Sequence, residues 1–193
     1  MQFKQAVDFI FKKLSAELPA TLSYHTIYHV RDVYNAAEQI GKQEGVSADD
    51  MQLLLTAAAY HDAGFIKAAA GHEEESCRLA TETLPYFGYN PDDIEKICGM
   101  IRATKIPQSP QNHLEEILAD ADLDYLGRDD FFTIGDKLFR ELLASGVVNN
   151  EDDWHKVQVR FFENHHYFTK TSVNLREAKK EEHLKQVKAK LNL

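Results

Sequence analysis

Two histidines four residues apart, His25 and His29 in YHTIYH, are the first residues along the chain whose spacing suits joint chemistry. Downstream, AAAYHDAGF joins His61 directly to Asp62, and DADLD sets Asp120, Asp122 and Asp124 on alternate positions. A divalent transition metal takes imidazole nitrogens and carboxylate oxygens that converge from different elements and leave positions open for water and substrate. A His and an Asp adjacent on one helix lie about 100° apart, so both meet one ion only if the helix axis passes beside it. One histidine from an earlier helix and one aspartate from a later one would complete an N₂O₂ set. Each member taken alone reads more simply as structural, because a lone histidine among aromatic residues is commonly a hydrogen-bonded core residue. Context favours the set. His61 and Asp62 follow LLLTAAAY, a run too apolar for a solvated face, and burying them there costs on the order of several kcal/mol unless they are paired or metal-bound.

The elements that must position these residues are helical. Val7, Ile10, Phe11 and Leu14 form one stripe before Pro19, and Val30, Val33, Ala37 and Ile40 form another that Gly41 is expected to stop. SADD, Ser47 to Asp50, is an N-cap signal for a helix running through MQLLLTAAAYHDA to Gly64. NPDD, Asn90 to Asp93, combines a capping Asn, a Pro in the first turn and two acids suited to the helix dipole. It opens IEKICGMIRAT, expected to end before Pro107. Helical patterns continue through LEEILADADLDYL, DDFFTIGDKLFRELLAS, EDDWHKVQVRFFENHHYF and the charged REAKKEEHLKQVKAKL, whose apolar seam is Leu184, Val187 and Leu191. No sustained period-two alternation, hairpin dipeptide or internal repeat is visible. The expectation is an all-α bundle of roughly seven to nine helices, one domain over residues 1–193 with a motif core at about 20–145 and C-terminal helices at 151–193. The loop KIPQSPQNH reads equally as a pocket wall or a plain connector.

Composition narrows the partners. Hydrophobic residues make up 44% and charged residues 27% of 193, as in a globular chain. Lys and Arg number 22 against 31 Asp and Glu, a net charge of −9, which opposes binding to a nucleic-acid polymer. A local cationic patch for a small phosphorylated molecule remains compatible with it. Cys77 and Cys98 lie in helical patterns outside any CxxC pair, and read as reduced core thiols of a cytoplasmic protein. No apolar run approaches the ~20 residues of a bilayer span. MQFKQAVDFIFKKL carries Asp8 within its periodicity and reads as an amphipathic helix, not a signal peptide.

The combination resembles the HD-domain superfamily of metal-dependent phosphohydrolases, marked by a histidine, a His–Asp dyad and a distant aspartate on helices around one or two divalent ions. Y-H-x-x-x-H-x-x-x-V is matched from Tyr24 to Val33 and H-D-A-G-F from His61 to Phe65. GHEEES (Gly71 to Ser76), DADLDYLG (Asp120 to Gly127) and NHHYFTKTSVNLR extend the likeness over roughly residues 20 to 180. The resemblance implies that His29, His61, Asp62 and Asp122 hold the metal, with Asp122 preferred because it follows alanine and precedes the apolar residue. It places Glu73 and His72 where relatives contact a metal-bound water or a second ion. It puts His25 where the cyclic-nucleotide phosphodiesterase branch donates a proton to the leaving oxygen. Two-metal members usually carry one or two further histidines where this chain has Thr104 and Lys105. One ion is therefore favoured over two, with Lys105 as a compact cation for a phosphate oxygen or, more simply, a solvated helix end.

The function so implied is hydrolysis of a small phosphoester, a nucleotide or cyclic nucleotide, by metal-activated water. Asp62 or Glu73 would handle the water, His25 the leaving group, and Lys105, Arg102 or Arg128 the phosphate charge. The ion could be Mn, Mg, Co, Ni or Fe. The competing reading is a sensor module holding a nucleotide or ion without turnover, and a third is a bundle whose histidines are structural. Trp154, Phe161, Phe162 and Phe168 read as core, as do Phe131, Phe132, Leu138 and Phe139. The pair His165–His166 could place one imidazole near the pocket but reads more simply as surface, and KKEEHLKQVKAK reads as a solvated face, on which a partner or second copy of the chain could associate.

Overall fold

The computed structural model describes residues 1–192. Among them are nine α-helices and no strand: α1 (Phe3–Glu17), α2 (Ile27–Gln43), α3 (Ala48–Tyr60), α4 (His72–Thr83), α5 (Pro91–Ala103), α6 (His113–Asp122), α7 (Phe131–Ala144), α8 (Glu151–Asn164) and α9 (Lys170–Lys190). Short 3-10 turns follow α3 (Ala63–Ile66), α4 (Leu84–Phe87) and α6 (Asp124–Gly127). The all-α expectation holds, and no helix is long and apolar enough to cross a membrane.

Capping sets several helix starts. Ser47 Oγ accepts from Asp50 N, and Asn90 with Asp93 forms a reciprocal capping box with Pro91 in the first turn. Asn112, Asn150 and Thr169 each accept a bond from the backbone N–H three residues on. α2 does not stop at Gly41. It runs to Gln43, and Gly41 is buried where a Cβ would lie 2.8 Å from Met51 Cε, so that glycine serves close packing of α2 on α3.

Apolar residues divide into two clusters. One joins α1 to α6 through residues such as Ile10, Val30, Leu54, Ile97 and Leu118. The other joins the C-terminal helices to the turn after α6 through Leu126, Phe131, Phe162 and Val187. Cys77 and Cys98 are buried free thiols, each directed at the other residue's carbonyl.

α9 is longer than its sequence pattern suggested and less solvated. Lys180, His183 and Val187 are buried, because α9 packs on the turn Asp124–Gly127: His183 Nδ1 donates to Leu126 O at 2.8 Å. Lys180 Nζ is satisfied by His165 O at 3.0 Å and by the Glu177 carboxylate. The reading of KKEEHLKQVKAK as a plain solvated face is corrected accordingly.

Candidate metal centre

The dyad does not sit inside a helix. α3 ends at Tyr60, and the chain turns at Asp62 (φ −101°, ψ 10°) into the 3-10 turn. The cause is Ser76 on α4. Its hydroxyl donates to His61 O (2.7 Å) and accepts from Gly64 N (2.8 Å), replacing bonds that a continuing helix would make. The backbone of His72 lies so close that a Cβ on Gly64 would stand 2.0 Å from His72 O. This is why HDAG ends with glycine: the turn carrying the dyad packs directly on the start of α4. We expect Gly64→Ala to destabilise the fold by about 3 kcal/mol, lowering the melting temperature by roughly 6–12 °C; an unchanged melting curve would show that the turn yields without cost.

Leaving the helix at this point lets both members of the dyad face one spot. Asp62 Oδ2 lies 3.3 Å from His61 Nε2 and 3.4 Å from His29 Nε2. Asp122 Oδ1 lies 3.4 Å from His61 Nε2 and 3.2 Å from His29 Nε2. His29 comes from the first turns of α2 and Asp122 from the last residue of α6. An ion about 2.1 Å from each donor spaces neighbouring donors about 3.0–3.4 Å apart, as in these four imidazole–carboxylate pairs, and the ligand atoms of His29, His61 and Asp122 all lie within 4.8 Å of one another.

The state of His61 supports a cation there. Its ring is fully buried and Nδ1 donates to Ala58 O at 2.8 Å, so Nε2 is the nitrogen turned toward the two carboxylates. His61 Nε2 and Asp62 Oδ2 are buried without a hydrogen-bond partner, a costly arrangement unless something positive lies between them. Without an ion, a protonated His61 helps to balance the carboxylates: burial pushes its ring down, but Asp62 and Asp122 outweigh it and raise it well above the usual value. Burial likewise pushes the Asp122 carboxyl up, but His29 and His61 outweigh it and bring it to about 2, and Asp62 is held still lower. A divalent cation would replace that imidazole proton. His29, His61 and Asp122 thus form a cluster that fits a divalent cation, and Asp62 Oδ2 lies beside both imidazoles as a candidate fourth donor.

The other aspartates of DADLD do different work. On a helix, positions two apart point to nearly opposite faces. Asp120 turns away from the site and accepts from Phe168 N, Thr169 N and Thr169 Oγ1 at 2.9, 2.8 and 2.7 Å. Asp124 pairs with Arg176 at 2.7 Å. Both tie α9 to the helix that presents Asp122.

The second group of expected residues lies beside the four donors. His72 Nδ1 donates to Ala69 O, and its Nε2 stands 3.4 Å from Asp62 Oδ1 and 3.7 Å from Glu73 Oε1. Phe65 lies between the imidazoles of His25 and His72, with centroids 4.0 and 4.2 Å away. His25 Nδ1 is bonded to Glu141 of α7, whose other oxygen accepts from the backbone N–H groups of Ser23, Tyr24 and His25. With Nδ1 engaged, Nε2 is the nitrogen of His25 left for chemistry. No spacing pattern pointed to Glu141, which reads as one more polar residue of FRELLAS and meets His25 only through the fold.

Lys105 is not brought to the site. Thr104, at the end of α5, turns inward and donates to Ile101 O, while the next side chain is exposed and does not line the cavity. Arg102 is engaged by Glu74, and Arg128 by Asp32 and Asp130.

A cavity of about 200 Å³ opens beside the four donors. His25, His29, Asp62, His72, Glu73 and Asp122 line one part, and Ile106 of the Pro-containing loop adds to the wall. Phe131 and Leu138 of α7 and Trp154, Phe161 and Phe162 of α8 line the rest, so these residues are walls of the cavity as well as core. Phe168 and the His165–His166 pair line a separate surface depression.

Three solved structures share this architecture. A predicted HD superfamily hydrolase from an uncultured Thermotogales bacterium is 20% identical and superposes with a TM-score of 0.62 over 98% of this chain and 91% of its own. A Lactobacillus plantarum protein is 18% identical, with a TM-score of 0.70 over 100% and 99% of the two chains. Bacillus subtilis YpgQ, solved in complex with ADP, is 18% identical, with a TM-score of 0.67 over 98% and 97%. No curated protein matches the sequence. The sequence profile of the HD domain matches residues 26–124, just over half of the chain. That span runs from the residue before α2 to the last aspartate of DADLD and contains all four candidate donors; the chain belongs to the HD domain family.

Proposed function

We propose that the protein is a metal-dependent phosphohydrolase that cleaves a small phosphoester, a nucleotide, with water. The observation that carries this reading is the pair of buried, unpartnered donor atoms, His61 Nε2 and Asp62 Oδ2, converging with His29 and Asp122 at a cavity wall. The Thermotogales relative, described as a predicted hydrolase, and YpgQ, solved with ADP, support the same reaction class and ligand type.

A divalent ion held by His29, His61, Asp62 and Asp122 supplies an acidified water and a polarised phosphoryl oxygen. One such ion suits this single set of four donors. His72, 3.4 Å from Asp62 Oδ1, and Glu73, 3.7 Å from His72 Nε2, would orient the attacking water and accept its proton. His25 holds a proton at Nε2 for the leaving oxygen, with Glu141 fixing its ring through Nδ1. With Lys105 exposed and both arginines engaged in ion pairs, negative charge on the phosphoryl group falls to the ion and the neighbouring imidazoles.

The test is a phosphatase screen across nucleotides, each with Mn, Mg, Co, Ni or Fe. We expect release of phosphate or nucleoside with at least one ion, abolished by a chelator. Nucleotide recovered unchanged with every ion would instead identify a binding or sensor module.

A further inference from the structure

We infer that the aromatic wall of the cavity holds a nucleobase and that Gln158 is the residue that reads it. This rests on the phosphohydrolase reading and names the part of the substrate farthest from the reaction. Trp154, Gln158, Phe161 and Phe162 fall at helical spacing on one face of α8, and all four line the cavity. Gln158 is 7% exposed, yet its carboxamide has no hydrogen-bond partner among the described residues. Its Nε2 atom faces Gly135 of α7, where a Cβ would stand 3.5 Å away. Gly135, with no side chain, lets α7 lie close to the amide nitrogen.

An amide held in this way asks for a particular ligand. The same cavity is lined by Tyr125, Phe131, Trp154, Phe161 and Phe162, and by no lysine or arginine among the described residues. A polyphosphate has no cation to meet it at that end. A sugar would bury several hydroxyls against aromatic rings for one amide, and each unpaired hydroxyl is costly. An acyl chain would fill the apolar volume but leave the carboxamide unpaired. A neutral planar heterocycle with a donor and an acceptor side by side satisfies both demands. Its faces stack on the rings, and its edge pairs with an amide that offers one acceptor and two donors. Glutamine pairs with the adenine edge in this way in other settings. The ester phosphate then lies toward His29, His61, Asp62 and Asp122, across the same cavity.

The experiment compares wild type, Gln158→Leu and Gln158→Glu on a panel of nucleoside monophosphates and on p-nitrophenyl phosphate, which is aromatic but lacks the paired edge. In Gln158→Leu we expect the ratio of nucleotide KM to p-nitrophenyl phosphate KM to rise about tenfold, with the loss in KM and not in kcat. Gln158→Glu, which exchanges the amide's donors for acceptors, should reorder the preference among bases. An unchanged ratio and an unchanged base order would overturn the inference. So would a wild type that cleaves p-nitrophenyl phosphate but no nucleotide, an outcome that leaves the phosphohydrolase reading standing. If neither ester is cleaved with any ion, that reading fails separately. Calorimetric binding of free nucleosides then decides the base site: weaker binding by Gln158→Leu than by wild type supports it, and no binding to wild type overturns it.

Discussion

His61→Ala should leave the protein without its divalent ion and without measurable hydrolysis. His61 is fully buried, its Nδ1 is committed to Ala58 O, and its Nε2 completes the set formed with His29, Asp62 and Asp122. Removing a residue that only supports a ligand costs 10- to 100-fold in affinity, and removing a donor should cost more than about 100-fold. Alanine also leaves Asp62 and Asp122 facing each other across the space the imidazole occupied. The loss is visible in stability as well. Excess ion at about 100 times its dissociation constant stabilises the folded state by about 2.7 kcal/mol, or roughly 5–10 °C in melting temperature for a chain of this size. Wild type should show that shift on addition of the preferred ion and lose it with chelator, whereas His61→Ala should melt at one temperature in both conditions. An equal metal-dependent shift in the variant would show that His61 is not a donor.

The second large effect divides the two histidines of YHTIYH. His29 lies against both carboxylates, at 3.4 and 3.2 Å, while His25 stacks on Phe65 and is bonded through Nδ1 to Glu141. Their rings are edge to face, with centroids 6.0 Å apart; His25 precedes the N-cap of α2 and His29 lies in its first turn, so the start of the helix, and not a helical turn within it, separates the candidate proton donor from the candidate metal donor. His25→Ala should lower kcat by roughly 10²- to 10⁴-fold, the range for a positioned acid or base, with the ion retained. The penalty should shrink for esters with a good leaving group such as p-nitrophenolate, which needs little protonation. Glu141→Gln should give a smaller decrease of the same kind, because an amide still anchors the ring. Equal losses on good and poor leaving groups would remove His25 from the role of acid.

Much of the fold is legible in the sequence: caps at Ser47 and Asn90 mark real helix starts. Residue types and spacing point to a histidine, the His61–Asp62 dyad and a later aspartate, and the family resemblance selects His29 and Asp122 among them. The dyad's geometry was harder to read. HDAG continues an apolar helical run, and only Ser76, fifteen residues beyond His61, shows why the helix stops. Glu141 and Gln158 were missed for a related reason. Each is a polar residue on a helix rich in polar residues, and each acquires its role from neighbours distant in sequence. Aromatic residues of α8 were read as core because helical periodicity reports burial, and a cavity wall is buried in the same sense. Lys105 had the opposite error: a cation at a helix end near the motif looks useful in sequence, but the turn at Thr104 directs it outward.

Elemental analysis of untagged wild type, His29→Ala and His25→Ala, loaded with Mn²⁺ and freed of excess ion, decides whether side chains from α2, the turn after α3 and the end of α6 hold a divalent ion. About one ion per chain is expected in wild type and in His25→Ala, and almost none in His29→Ala. Equal loss of metal from both variants, or no metal in wild type, would show that these side chains do not hold it as described.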